Sequence, residues 1–419
     1  MSTEKAPTKG SLLAVFLTVF IDLLGFGIVL PLLPIYAVQF TLDETGMVIG
    51  LLMASFSAMQ FLFAPVWGRL SDRIGRRPVL LIGLAGSTIF YAVFGLATAM
   101  GSLAGMFISR IGAGIAGATI STAQAYIADS TTKENRTRGM ALIGAAFGLG
   151  FTFGPLLAAA ALVATSAADV GKSPWPGYTA SALSGCAFLF AFFKLPESKS
   201  ADVTPGAHHW FDISSLKNAL TTATIVPLLL TSFVNILAMS NFEGVLSFLL
   251  SRDTSEGGFG FDIVDVVLIF SLLGFLHALS QGLVRGLAKR LSEGRLAVIG
   301  ASVSICGFLL LGYATVQLNF SLLIVGMLIA GVGFAFIPPA IQSLISRRSD
   351  PTAQGGILGV GQSLGALARI FGHAICIPLF YIGAAVPYWT GAGLMVLAFV
   401  LILWSTGHGG DFPSEQPAE

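Results

Sequence analysis

Four ionisable residues stand where such residues are costly: Asp22, Arg110, Glu243 and Arg369 each fall inside a long apolar run. Insertion scales put an ionised side chain at bilayer depth at about 2.5–3.5 kcal/mol, so each is a functional candidate by default. A buried carboxyl can take up and release a proton. Burial favours its neutral form and a neighbouring guanidinium its charged form, so a substrate that displaces the arginine can release or capture that proton. The guanidinium in turn matches the acidic groups of a substrate. Asp22 is the expected proton-coupling residue, with Glu243 second. The competing reading makes Asp22–Arg110 and Glu243–Arg369 buried ion pairs that only hold helices together.

Helical spacing extends the set. Arg110, Gly114, Gly117, Ser121 and Gln124 recur at helical intervals, as do Ser232, Asn235, Met239 and Glu243, with Asn241 off that line. Gln362, Ala366, Arg369 and His373 make a third stripe, and His277, Gln281 and Arg285 a fourth. A polar stripe on an apolar helix faces the bundle interior or a wet cavity. The candidate substrate contacts are therefore Arg110, Gln124, Asn235, Asn241, His277, Gln281, Arg369 and His373. For the two histidines, a packing role stands beside substrate contact.

The elements that must position these residues follow from composition. The 419 residues are 55% hydrophobic and only 10% charged, with 50 glycines and 33 phenylalanines, and a mean hydropathy of +0.85. Soluble domains carry roughly 25% charge, so a water-soluble fold is excluded. A disordered chain and a disulfide-stapled module are excluded too, and a β-barrel, which would show short alternating segments, is disfavoured. A helix needs about 20 mainly apolar residues to cross a bilayer. Twelve such runs appear, near 11–38, 46–66, 78–100, 103–127, 139–165, 176–194, 219–250, 262–288, 295–315, 319–346, 354–382 and 386–404. The expected fold class is an all-α polytopic membrane protein. Of the 22 Lys and Arg, eighteen fall in alternate loops and the leader, while the opposite side holds only Lys172 and Arg252. That bias places both termini in the cytoplasm, of the cell (inner) membrane if the source is bacterial. A net charge of +1 gives no reason to expect nucleic acid as a partner. Cys186, Cys306 and Cys376 lie far apart and match no metal spacing. No metal, cofactor or catalytic set is expected, hence no enzyme.

Sliding the chain by 218 residues superimposes Gly68 on Gly286, Arg77 on Arg295, Gln124 on Gln342 and Phe153-Gly154 on Phe371-Gly372. One offset across several spans implies two six-helix halves of the same orientation, related by an axis along the membrane normal. The expected organisation is a first half over 1–194, a linker over 195–218, a second half over 219–404 and a cytoplasmic tail over 405–419.

The loop Gly68-Arg69-Leu70-Ser71-Asp72-Arg73-Ile74-Gly75-Arg76-Arg77-Pro78 resembles the signature loop of the major facilitator superfamily. Physically it is a tight turn with one carboxylate among four arginines. One reading is a positive-inside anchor; the sharper one is a charge latch, in which Asp72 pairs across to the other half in one state only and which Asp129 could join. In span 5, Gly144, Gly148, Gly150, Gly154 and Pro155 resemble the glycine- and proline-rich motif of the twelve-span drug/proton antiporters. Asp22-Leu23-Leu24-Gly25 with Pro31 and Pro34, and Arg110 with Gly114 and Gly117, are similar to further motifs of that branch. Gly68, Asp72, Arg73, Arg77, Asp129, Gly154 and Pro155 are thus expected to serve conformational gating. GMALIGAAFGLGFTFGP, Glu243 before LSFL, and QSLGALAR resemble the tetracycline-efflux group and its eukaryotic tetracycline-transporter-like relatives. In this chain Gly372 is followed by His373, where many members carry a GP pair.

The resemblance implies a major facilitator fold and proton-driven export of small amphiphilic organic molecules, with organic anions as substrates of the eukaryotic relatives. The expected partners are that substrate, protons and the lipid bilayer, and nothing demands more than a monomer. Two other readings keep the residues but change the work: a uniporter or importer of a small metabolite, and a non-transporting membrane receptor.

Overall fold

The computed structural model describes residues 9–40, 44–131, 136–163, 165, 167–198, 224–287, 290–349 and 354–408. The expected linker and tail lie largely outside these. Helices make up the fold, and no strand occurs among the described residues. All twelve expected runs reappear as helices long and apolar enough to cross a membrane.

Two spans are built from two helices each. The first, Leu12–Val38, joins α1 (Lys9–Val29) to α2 (Leu33–Val38). The break falls at Pro31, whose ring removes a backbone donor, and Pro34 sits in the first turn of α2, where proline is tolerated. Then come α3 (Met47–Ile74) and α4 (Arg76–Ala99). The fourth span, Leu103–Asp129, divides into α5 (Leu103–Gly117) and α6 (Ile120–Asp129). Ser102 starts α5 by accepting from the Gly105 amide at 3.1 Å. At the division, carbonyls that lose helical partners are taken up by α3: Trp67 Nε1 donates to Ile115 O at 2.6 Å and Gln60 Nε2 to Gly117 O at 3.3 Å. The expected continuous stripe from Arg110 to Gln124 is therefore carried by two helices, with half-buried Gln124 beyond the break.

The remaining spans are α7 (Arg136–Val163), α8 (Trp175–Lys194), α9 (Val226–Ser251), α10 (Ile263–Leu287), α11 (Glu293–Val316), α12 (Phe320–Arg348), α13 (Gln354–Ile382) and α14 (Val386–His408). Backbone contacts gather the chain into two compact units, Met1–Trp210 with Gly260–Ala278, and Phe211–Phe259 with Leu279–Glu419.

Inside the first unit, α1 meets α7 with almost no side chain between. A Cβ on Gly154 would lie 2.7 Å from the Gly27 backbone, the approach that small residues permit in a membrane. Pro155 follows within the same helix. Residues 260–278 group with this unit because Ser271 Oγ donates to Thr152 O at 2.7 Å, next to the close approach of Gly274 and Phe151. The core of the second unit is more aromatic. Phe242 packs 6.1 Å from Phe308 and 6.4 Å from Phe334 and Tyr388, while Phe308 and Phe334 are 5.5 Å apart, separations at which offset and edge contacts are favourable.

Candidate functional site

In the first unit, the fold brings Asp22 and Arg110 to one neighbourhood without joining them. Arg110 is 1% exposed, and its guanidinium lies 4.4 Å from the Phe56 ring centre and 6.0 Å from that of Phe26. Its Nε and Nη1 are buried without a hydrogen-bond partner, as is Asp22 Oδ1. Ion pairs among the described residues form elsewhere, and none links these two. Ser87 and Ser184 flank the Asp22 carboxyl, and Tyr91 of α4 lies within electrostatic reach of both charges. Aromatic faces are the compensation Arg110 receives for lost water. The competing reading of an Asp22–Arg110 ion pair is not what the described residues show: the two groups are buried separately.

The second unit repeats the theme. Glu243 of α9 and Arg369 of α13 lie within electrostatic reach of each other, and again no ion pair closes between them. Asn235 is buried about two turns before Glu243 on the same stripe, with its Oδ1 unpartnered. Asn241 differs from the expectation of a substrate donor: its Nδ2 is committed to Pro387 O at 2.8 Å, tying α9 to the start of α14. His373 is 5% exposed, and its carbonyl accepts from Cys376 Sγ at 3.1 Å. His277 and Gln281 are half-buried on α10. His277 falls in the first unit and Gln281 in the second.

The signature loop makes the densest charge cluster. Arg76 Nη1 meets Asp72 Oδ1 at 2.6 Å and Ser71 Oγ at 2.6 Å, while Arg76 Nε donates to Asp129 Oδ2 at 3.0 Å. Gly75 turns the chain between α3 and α4 with φ +102°, a region open to glycine and strained for other residues. Arg77 Nη2 donates to Phe192 O at 2.6 Å, with the guanidinium carbon 5.6 Å from the Phe192 ring centre. Arg73 is exposed on the last turn of α3, and Gly68, inside α3, has open space where a Cβ would stand. Sequence reasoning named Asp72, Arg77 and Asp129 here, and missed both Arg76 as the centre and Glu197 as its anchor. The Glu197 carboxylate accepts from the Arg76 amide at 2.9 Å and the Arg77 amide at 3.1 Å, capping the first turn of α4 where negative charge is favoured. The available signal was a helix start whose cap position is Gly75, which has no side chain to accept from the first amides. Tyr126 Oη donates to Pro196 O at 2.9 Å and fixes the same segment.

The sequence profile of the Major Facilitator Superfamily matches residues 15–373. The chain belongs to that superfamily. It is 32% identical to the class C tetracycline resistance protein of Escherichia coli over 94% of this chain and 96% of that protein. It is 30% identical to the mouse major facilitator superfamily domain-containing protein 10 (Mus musculus), covering 98% and 96%. The crystal structure of the human organic anion transporter MFSD10 (TETRAN) superimposes with a TM-score of 0.71 at 28% identity, over 95% of this chain and 100% of that one. A D-xylose-proton symporter shares the fold with a TM-score of 0.75 at 16% identity, over 93% and 96%. The protein is accordingly an integral, multi-pass membrane transporter of the superfamily. Its expected resemblance to tetracycline-resistance proteins stands.

Proposed function

We propose that this protein is a proton-coupled antiporter that exports small amphiphilic organic compounds, organic anions among them, by alternating access. The observation that carries the reading is that each unit holds a carboxyl and a guanidinium inside its spans without locking them into an ion pair. An unlocked carboxyl can exchange a proton, and an unlocked guanidinium can receive an acidic group. Asp22 is the first candidate to carry the proton and Glu243 the second. Arg369 is the anchor for substrate acid, with His373 one turn further along the same helix and Asn235 and Gln281 as further candidate contacts from α9 and α10. The similarity to a human organic anion transporter and to tetracycline resistance proteins supports both the substrate class and the direction. The basic loops support cytoplasmic termini, and the monomer is the proposed working unit.

The test is proton movement in vesicles reconstituted with the purified chain. Adding a substrate anion should drive proton flux in the wild type and not in Asp22→Asn. Substrate uptake with no accompanying proton movement would sink antiport and leave a uniporter. Thermal stabilisation by organic anions, which reports binding by mass action, should vanish in Arg369→Ala.

A further inference from the structure

We infer that the seam between α4 and α8 is a seat for an anionic phospholipid, with one acyl chain in the seam and the phosphate held by Arg77 and Lys194. The site stands apart from proton coupling and from the choice of substrate. At one end of the seam the two helices touch: a Cβ on Gly177 would lie 2.6 Å from Gly95 Cα. Further along, Ser181 Oγ donates to Thr88 O at 2.7 Å. At the other end, Arg77 Nη2 donates to Phe192 O at 2.6 Å. Between these ties the helices leave a gap, because Gly185 contributes no side chain. A Cβ there would meet only Thr88, with Cγ2 at 3.5 Å. The result is an open groove of about 490 Å³ between Thr88 and Ile89 of α4 and Gly185, Cys186 and Leu189 of α8. Its wall is apolar, since Thr88 turns its hydroxyl away to Leu84 O at 2.8 Å.

Charge and length select the occupant. Thr88 lies eleven residues beyond Arg77, and Gly185 seven before Phe192. Those spacings are about three and two helical turns, so the Arg77–Phe192 contact closes the same two faces that form the groove. From Arg77 to Thr88 is about 16 Å along the helix axis, and one leaflet of hydrocarbon is about 15 Å deep. An acyl chain hung from a phosphate at Arg77 therefore reaches the groove. Among the described residues, Arg77 Nε and Nη1 make no hydrogen bond, and a guanidinium fork suits a phosphate. Lys194 is exposed on the last turn of α8. The carboxylates at this end are already engaged: Asp72 and Asp129 by Arg76, and Glu197 by the Arg76 and Arg77 amides. The basic loops mark this end as facing the leaflet that carries anionic lipid. A second copy of the chain fits poorly. A two-fold axis along the membrane normal would set Arg77 and Lys194 of both copies at one level, cation against cation.

Cys186 in the groove and Cys306 on α11 are both exposed, so one serves as reporter and the other as reference. The purified chain in detergent is treated with a maleimide, and peptide mass spectrometry reads how each modification rate depends on added lipid. Dioleoyl phosphatidylglycerol should slow Cys186 about fivefold at roughly four times its dissociation constant, and leave Cys306 unchanged. Dioleoyl phosphatidylcholine, with the same chains and no net charge, should protect only at higher concentration. Arg77→Gln combined with Lys194→Gln should bring the anionic lipid down to the potency of the zwitterionic one. Gly185→Leu, which fills the groove, should remove the lipid dependence altogether. Ala182→Leu fills it from an exposed position on its lining and replaces Gly185→Leu where that variant prevents folding. Equal potency of the two lipids in wild type would overturn the phosphate seat, and a Cys186 rate indifferent to both would overturn the groove. Protection by glycerol phosphate, which has no acyl chain, would place a free phosphate there instead. Cys186 shielded without lipid, together with a dimer mass by light scattering, would put a second copy in the seam; either result overturns the lipid.

Discussion

In the first unit, the start of α4 carries the cation and the end of α6 the anion: Arg76 Nε meets Asp129 Oδ2 at 3.0 Å. In the second, the start of α11 carries the anion and the end of α12 the cation: Arg347 Nη1 meets Glu293 Oε2 at 3.0 Å. Asp129 and Arg347 are 218 residues apart, the offset of the internal repeat, and Glu293 neighbours the residue that answers to Arg76. The repeat therefore keeps the place where two helix ends are tied and reverses the sign of the tie. The surroundings differ as well. Arg76 is 13% exposed and also holds Asp72 and Ser71, whereas Arg347 is 50% exposed, and its partner Glu293 also accepts from Ser343 Oγ at 3.1 Å. The α4 start has the Glu197 cap, while Ser292 makes no side-chain cap at the α11 start. One tie is a part-buried network and the other a surface bridge.

The contrast predicts unequal costs. Arg76→Ala removes three polar contacts and leaves Asp72 and Asp129 facing each other without their cation. The expected loss is about 2–3 kcal/mol of stability, since breaking a part-buried charge cluster strands its partners. Thermal unfolding in detergent, set beside Arg347→Ala, measures it. Equal losses at both positions would erase the distinction between network and bridge.

Next in size is the cap. Glu197→Ala should cost about 1 kcal/mol, the usual value of a helix N-terminal acceptor, and Glu197→Gln should recover part of it by accepting through the amide oxygen. Hydrogen exchange at the Arg76 and Arg77 amides would report the change locally. Unaltered protection there would show that Glu197 does not hold the helix start.

The second tie should yield less. Glu293→Gln and Arg347→Ala are each expected to cost at most about 1 kcal/mol, as exposed pairs do. The swapped chain, Glu293→Arg with Arg347→Glu, rebuilds the polarity of the first unit and should recover most of that loss. A swap no better than the single changes would show that sign matters at this position after all.

How far the sequence reached differs between these layers. The twelve spans were legible because hydrocarbon thickness demands long apolar runs, and Asp22, Arg110, Glu243 and Arg369 stood out against them. What stayed hidden was geometry supplied by a third helix. Nothing in the spacing of Asp22 and Arg110 says that a Tyr91 ring enters beside Gly25, and nothing near Asn241 says that Pro387 O claims its amide. Glu197 escaped because it lies outside every span, in a stretch read as linker. The Arg110–Gln124 stripe assumed one helix, whereas the span divides at a break whose freed carbonyls α3 side chains satisfy.

The smallest effect is expected where the two units are most alike. Gly68 and its repeat partner Gly286 both have open space where a Cβ would stand, and both lie inside helices, where glycine is about 1 kcal/mol worse than alanine. Gly68→Ala and Gly286→Ala should therefore leave stability unchanged or raise it slightly, by up to about 1 kcal/mol. Transport is the separate readout. If Gly68→Ala slows substrate export while Gly286→Ala does not, the requirement for a bare backbone belongs to another conformation of the first unit, reached during the cycle. Equal transport by both variants would instead give the two loops the same part in gating, and the difference between the units would reduce to the charges that tie their helix ends.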